Sequence, residues 1–90
     1  DAQYQLGAHL QAQGSKLRDQ ANALKLNDPN FDKLIAESDE YYRQATVPLE
    51  AYITALPNDK AVLTVLSQLH RALKNTEKAL EYKKRLDAAE

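Results

Sequence analysis

Cysteine, methionine and tryptophan are missing from this chain of 90 residues, glycine occurs only twice and proline only three times. Without cysteine there can be no disulfide, no thiol nucleophile and no cysteine-ligated zinc, and the redox compartment is left open. Neither charge is in excess: 12 basic residues stand against 13 acidic ones, a formal charge of -1. The broad basic field on which nucleic-acid or acidic-membrane binding relies is therefore absent. No stretch approaches the roughly 18 consecutive apolar residues of a membrane span, and no apolar signal segment stands at the start. The lack of methionine, with Asp1 in first place, points to a chain that was processed or cut from something longer, with upstream sequence lost. Ninety residues suffice for one small domain with a modest core.

The signatures of catalysis are also thin. His9 and His70 are the only histidines and lie far apart in the sequence, which is no metal-ligand spacing. His70 falls on an apolar helical stripe and reads as a packed side chain. The carboxylates of "AESDEYY" (Glu37, Asp39, Glu40) point in different directions around a helix and read as a solvated face. There is no glycine-rich phosphate loop, no nucleophile elbow and no HExxH. The expectation is a protein that is not an enzyme and uses no cofactor and no metal.

What the chain does have is helical periodicity, interrupted at "KLNDPN" (25 to 30), "LPND" (56 to 59) and "KNT" (74 to 76). Four helices follow. The first, about 2 to 25, repeats Leu10, Leu17 and Leu24 every seven residues beside Leu6, Gly14 and Ala21. The second opens with Asp28 as N-cap and Pro29 at the first helical position, and lines Phe31, Leu34, Ser38, Tyr41, Ala45, Leu49, Tyr52 and Leu56 along one face. Pro48 inside it predicts a bend near residues 44 to 48. Asn58 can cap a third helix of about 59 to 73 with Leu63, Leu66, Leu69, His70 and Leu73. Thr76 can cap a fourth of about 76 to 89 with Ala79, Leu80, Tyr82 and Leu86.

Folding the first two helices back on each other sets residues whose numbers sum to about 55 face to face, so that Leu10 meets Ala45, Gly14 meets Tyr41, Leu17 meets Ser38 and Leu24 meets Phe31. Large residues then face small ones, which a closely packed antiparallel pair requires. By this pairing the long hairpin carries most of the stability. The two shorter helices each have one apolar stripe, cannot bury it alone and must stack on the neighbouring pair.

The last hairpin resembles the tetratricopeptide repeat, whose pattern is W-x2-L-G-x2-Y, then A-x3-F, then P. Leu63 stands at the tryptophan, Leu66 at the leucine, Ser67 at the glycine, His70 at the tyrosine, Ala79 at the alanine and Lys83 at the phenylalanine, with Tyr82 beside it able to supply the aromatic. The first hairpin is similar to a stretched copy: Leu6, Gly7 and Leu10 take the early positions, and Pro48 and Tyr52 those of the alanine and phenylalanine. The resemblance implies an all-α, tetratricopeptide-like helical repeat of four antiparallel helices, an elongated hairpin (1 to 57) followed by one of standard length (58 to 90). It further resembles the C-terminal part of Bacteroidota proteins of this family, many of them exported. A periplasmic or exported location is what that implies, while the residues themselves are equally compatible with the cytoplasm.

For function, the resemblance implies a protein-protein interaction scaffold that grips a peptide or helix of a partner along the first helix of each pair. The positions concerned are Tyr4, Ala8 and Gln11, with Ala12 beside them, and Thr64, Gln68 and Arg71. Thr64 and Gln68 stand where a terminal-carboxylate clamp would need lysine and asparagine, so a chaperone tail is not the expected ligand. Two other readings stay open, a structural end-cap of a longer solenoid and a self-associating assembly module. Residues 2 to 15, "AQYQLGAHLQAQGS", contain no Asp, Glu, Lys or Arg, whereas residues 74 to 90 contain nine. Charge depletion marks the centre of a protein contact. The expected cover is a preceding repeat or a second copy. Residues 28 to 56 hold six acids against two bases, and residues 60 to 90 seven bases against four acids, so the second helix is acidic and the C-terminal end basic.

Overall fold

The computed structural model describes residues 2–25 and 27–89; Leu26, within the predicted "KLNDPN" break, lies outside the described residues with Asp1 and Glu90. Four helices and no strand occur among the described residues: α1 (Ala2–Asn22), α2 (Pro29–Ala55), α3 (Lys60–Ala72) and α4 (Thr76–Ala88). Each packs chiefly on its neighbour in the chain, α1 on α2, α2 on α3 and α3 on α4. The 27 residues of α2 make a rod of about 40 Å. It runs along most of the 43 Å long axis of the molecule.

The caps explain the boundaries. Asp28 takes extended backbone and its side chain accepts from the Asn30 amide at 2.8 Å, with Pro29 supplying a first helical residue that needs no partner for its nitrogen. The predicted cap of α3 is off by one residue. Asp59, not Asn58, closes the helix start, accepting from the Val62 amide at 3.2 Å. Likewise Thr76 is already helical, and Asn75 holds the capping position of α4 without a side-chain hydrogen bond. Pro48 is buried, and the helical backbone of α2 continues through it. Its ring leaves the Gln44 carbonyl without an in-helix donor, and Gln44 is exposed, so water can serve instead. The "KNT" break is a Schellman motif: the Asn75 amide donates to the His70 carbonyl at 2.8 Å and the Lys74 amide to the Arg71 carbonyl at 3.0 Å. Lys74 pays for that geometry with φ 63°, the left-handed region.

The α1–α2 register differs from the predicted one by about one residue, and in a helix that rotates the face. Gly14 lies against Tyr42, not Tyr41, and Tyr41 and Leu56 point to solvent. The buried stripe of α2 is Ser38, Tyr42, Ala45, Thr46, Leu49 and Ile53. On α1 the fully buried residues are the small ones, Gly7, Gly14 and Ala21, seven apart, while Leu10 and Leu17 are only half-buried, Leu6 is exposed, and Leu24, predicted to lie in the helix, falls just beyond its end at Asn22 and is half-buried. The leucines flank a close helix contact and do not fill it. Gly7 sits against Leu49 and Gly14 against Tyr42, and Ser38 donates to the Gly14 carbonyl at 2.7 Å.

The large apolar side chains gather elsewhere. Leu49 and Ile53 at the C-terminal part of α2 join Val62, Leu63, Leu66 and Leu69 of α3 and Tyr82 of α4. Tyr42 and Ala45 carry the same core back along α2 into the long hairpin, where Leu10 packs against it, so the apolar core spans both hairpins and α2 is its common element.

Candidate functional site

The seven positions singled out in the sequence fall into two patches. On α1, Tyr4 is 40% exposed, Ala12 is exposed, and Ala8 and Gln11 are half-buried. On α3, Gln68 and Arg71 are exposed, whereas Thr64 is half-buried and its hydroxyl donates to its own helix at the Lys60 carbonyl, 2.8 Å away. Because α1 and α3 pack little on one another, α2 is what links the two patches.

The link is specific at one end. The ring of Tyr4 lies 5.6 Å from that of Tyr52, and the Tyr52 hydroxyl donates to the Asp59 carboxylate at 3.0 Å. Asp59 is also the cap of α3. The carboxylate therefore ties the end of α2 to the start of α3, and the ring contact of Tyr52 with Tyr4 brings the start of α1 to the same end of the molecule. The hydrogen bond that Asp59 accepts favours the protonated phenol and raises the Tyr52 pKa.

A second polar cluster, which sequence reasoning missed, joins the two hairpins. Glu50 of α2 turns a single oxygen, Oε2, toward three groups of the second hairpin. The Tyr82 hydroxyl donates to it at 2.7 Å, the Lys78 ammonium at 3.2 Å, and Nε2 of His70 stands 3.5 Å away without completing a hydrogen bond. The His70 and Tyr82 rings stack at 5.6 Å with 15° between their planes. Burial alone would raise the Glu50 carboxyl, but the Tyr82 and Lys78 donors outweigh it and hold the pKa below the ordinary 4.5. Burial pushes His70 below its ordinary 6.5 against the pull of Glu50, and burial with the Glu50 hydrogen bond raises Tyr82 strongly. His70 is 5% exposed, the packed histidine that its place on the stripe implies. Glu50 had no visible signal, since nothing local marks a glutamate that will face a different hairpin.

A third polar group ties the hairpin helices. Arg18 pairs with Asp39 and lies 4.9 Å over the Tyr42 ring, whose hydroxyl is 3.0 Å from Ser15 Oγ. Shallow depressions among the described residues include one of about 360 Å³ at the joint (Leu56, Pro57, Asn58, Asp59) and one of about 280 Å³ on the outer face of α2 (Glu37, Glu40, Tyr41, Gln44). Neither includes a predicted contact residue. Among the described residues no group of three or more His, Asp or Glu is placed to hold a metal, and no helix is long and apolar enough to cross a membrane. No protein-family model, no curated protein and no solved structure matches this chain.

Proposed function

We propose that this protein is a protein-protein interaction scaffold of tetratricopeptide type that takes a peptide or helix of a partner along α1 and α3, through Tyr4, Ala8, Gln11 and Ala12 on the first and Thr64, Gln68 and Arg71 on the second. The observation that carries the reading is the character of α1. Its small residues Gly7, Gly14 and Ala21 are spent on α2, while the charge-free stretch 2 to 15 keeps Tyr4, Leu6 and Ala12 exposed. A face without charge loses little on desolvation, so it suits a protein contact. Further support comes from the second hairpin, where Leu63, Leu66, Ser67, His70 and Ala79, five positions of the repeat pattern, are buried, and the buried aromatic is Tyr82 in place of the exposed Lys83.

The test is to place charge on the face with Ala8→Glu and Ala12→Lys singly, with Lys83→Glu on exposed α4 as control. Partner recovery and solution mass are measured beside melting temperature. Loss of a specific partner in both face variants, with melting temperature and the control unchanged, supports the scaffold. A mass that doubles with concentration and returns to one copy in Ala8→Glu assigns the face to a second copy instead. No change in any readout makes it free surface.

A further inference from the structure

Among the described residues Glu50 is the one α2 side chain hydrogen-bonded to α4, and it holds that helix through a single oxygen. Beyond the joint itself, where Tyr52 meets Asp59 and Arg85 meets the Pro57 carbonyl, no other side-chain hydrogen bond among these residues crosses from the first hairpin to the second. We propose that Glu50, His70, Tyr82 and Lys78 form a proton-operated latch that fixes the angle between the hairpins and loosens it at mildly acidic pH.

The geometry makes the latch sensitive at two places. His70 Nε2 is buried, has no hydrogen-bond partner and sits beside an oxygen whose lone pairs are already taken by Tyr82 and Lys78. A proton arriving there creates an imidazolium closed off from solvent, and the acceptor facing it, Glu50 Oε2, is already engaged by two other donors. Around it stand Glu50 from α2, Lys78, Glu81 and Tyr82 from α4, with Arg85 5.5 Å over the Tyr82 ring, and Arg71 on α3 itself. Glu50 and Glu81 attract the imidazolium and Lys78 repels it, while burial opposes it most. The lower proton affinity of the folded state means that acid favours conformers in which the ring reaches water. At lower pH still, protonating Glu50 removes the charge on which both donors converge. Opening the seam relieves both, because it solvates His70 and releases Lys78, which is already half-exposed.

The absence of cysteine makes the test direct, since Ala36→Cys on α2 and Lys84→Cys on α4, both exposed, are unique labelling sites. Spin-label distances are measured on the whole chain at about pH 7.5 and about pH 5, with helicity followed in parallel. No partner is present, so the outcome is independent of the scaffold reading. The expected result is one narrow distance at the higher pH that broadens or lengthens at the lower, with helicity retained. In His70→Phe, which keeps a stacked ring but cannot take a proton, the change between the two pH values should be lost. His70→Gln is the second such variant if the first folds poorly. Glu50→Gln should show the broadened distribution already at the higher pH. An unchanged distance in the parent chain, or the same response in both His70 variants, overturns the latch.

Discussion

Replacing Gly14 by alanine would put a methyl carbon 2.6 Å from both Cδ1 and Cε1 of Tyr42 and 3.1 Å from the Ser38 carbonyl oxygen. On intrinsic preference alone the exchange helps, because alanine in a helix interior is favoured over glycine by about 1 kcal/mol. Packing decides the sign. The Tyr42 ring is 7% exposed, its hydroxyl is held by Ser15 at 3.0 Å and Arg18 covers its face at 4.9 Å. The Ser38 oxygen belongs to backbone and cannot swing away. Overpacking such a site costs roughly 1 to 3 kcal/mol, and a displaced tyrosine hydroxyl gives up a further hydrogen bond of about 1 kcal/mol. Set against the helix preference, the net is a destabilisation of about 1 to 3 kcal/mol. A domain of this size loses about 4 to 8 °C of melting temperature per kcal/mol. Circular-dichroism melts, with urea titration as a check, should show that loss. Ala12→Gly, exposed on the same helix, is the companion: it should cost about 1 kcal/mol by preference alone. If Gly14→Ala melts at or above the parent temperature, α1 and α2 do not approach as closely as described and the small-residue seam is not what joins them.

Lys74→Gly should raise stability by about 0.5 to 1 kcal/mol in the same melts, since glycine occupies the left-handed position after α3 without the Cβ penalty. Asp59→Ala should cost about 1 to 2 kcal/mol by removing the α3 cap, and Asp59→Asn, which can still accept from the Val62 amide, should recover most of it. Leu17→Ala should be milder than for a core leucine, about 1 to 2 kcal/mol, because the side chain is only half-buried; complete unfolding would show that it is packed more deeply. Melting temperature should fall on acidification in two stages. His70 and Glu50 both bind protons more weakly folded than unfolded, so each contributes stability that is present above its ordinary value, 6.5 and 4.5 respectively, and is lost as pH drops through the lower folded value. His70→Phe should flatten the first stage and leave the second.

Four helices, their breaks and the Asp28–Pro29 start were legible because periodicity and caps are local signals carried within a few residues. The face of α2 was not. Choosing Tyr41 over Tyr42 is a one-residue question, both are tyrosine, and the rotation of α2 about its axis is set by how closely α1 can approach, which only Gly7 and Gly14 permit. A stripe drawn through the leucines therefore passes beside the true contact. The cap of α3 was misplaced for a related reason. Asn58 and Asp59 are equally good capping types, and the choice fell to Asp59 because its second oxygen also receives the Tyr52 hydroxyl from another helix. At the candidate site, exposure of Tyr4, Gln68 and Arg71 follows from periodicity, but the Tyr4–Tyr52 contact and the Glu50 cluster depend on chain segments brought together by the fold.

The two hairpins are held by different physics, and the difference bears on how the proposed partner contact would behave. Along α1 and α2 the side chains of Leu49 and Tyr42 seat directly on Gly7 and Gly14 and the contact is short-range and stiff, because surfaces packed that closely have little room to slide. Between the hairpins the apolar core of Leu49, Ile53, Leu63 and Leu66 supplies cohesion without direction, since burial rewards removal from water and is indifferent to small rotations. Direction across that seam has to come from polar geometry, and it comes from few groups: Tyr52 with Asp59 and Arg85 with the Pro57 carbonyl at the joint, and Glu50 with Tyr82 and Lys78 farther along. A partner lying across both α1 and α3 would therefore meet one rigid patch and one adjustable patch. Its affinity should depend on the seam residues even though they touch no ligand. Glu50→Gln, which leaves all seven proposed contact residues in place, should weaken a partner that spans both helices and spare one that binds α1 alone, and titration calorimetry of the parent and variant with the same partner distinguishes the two modes of binding.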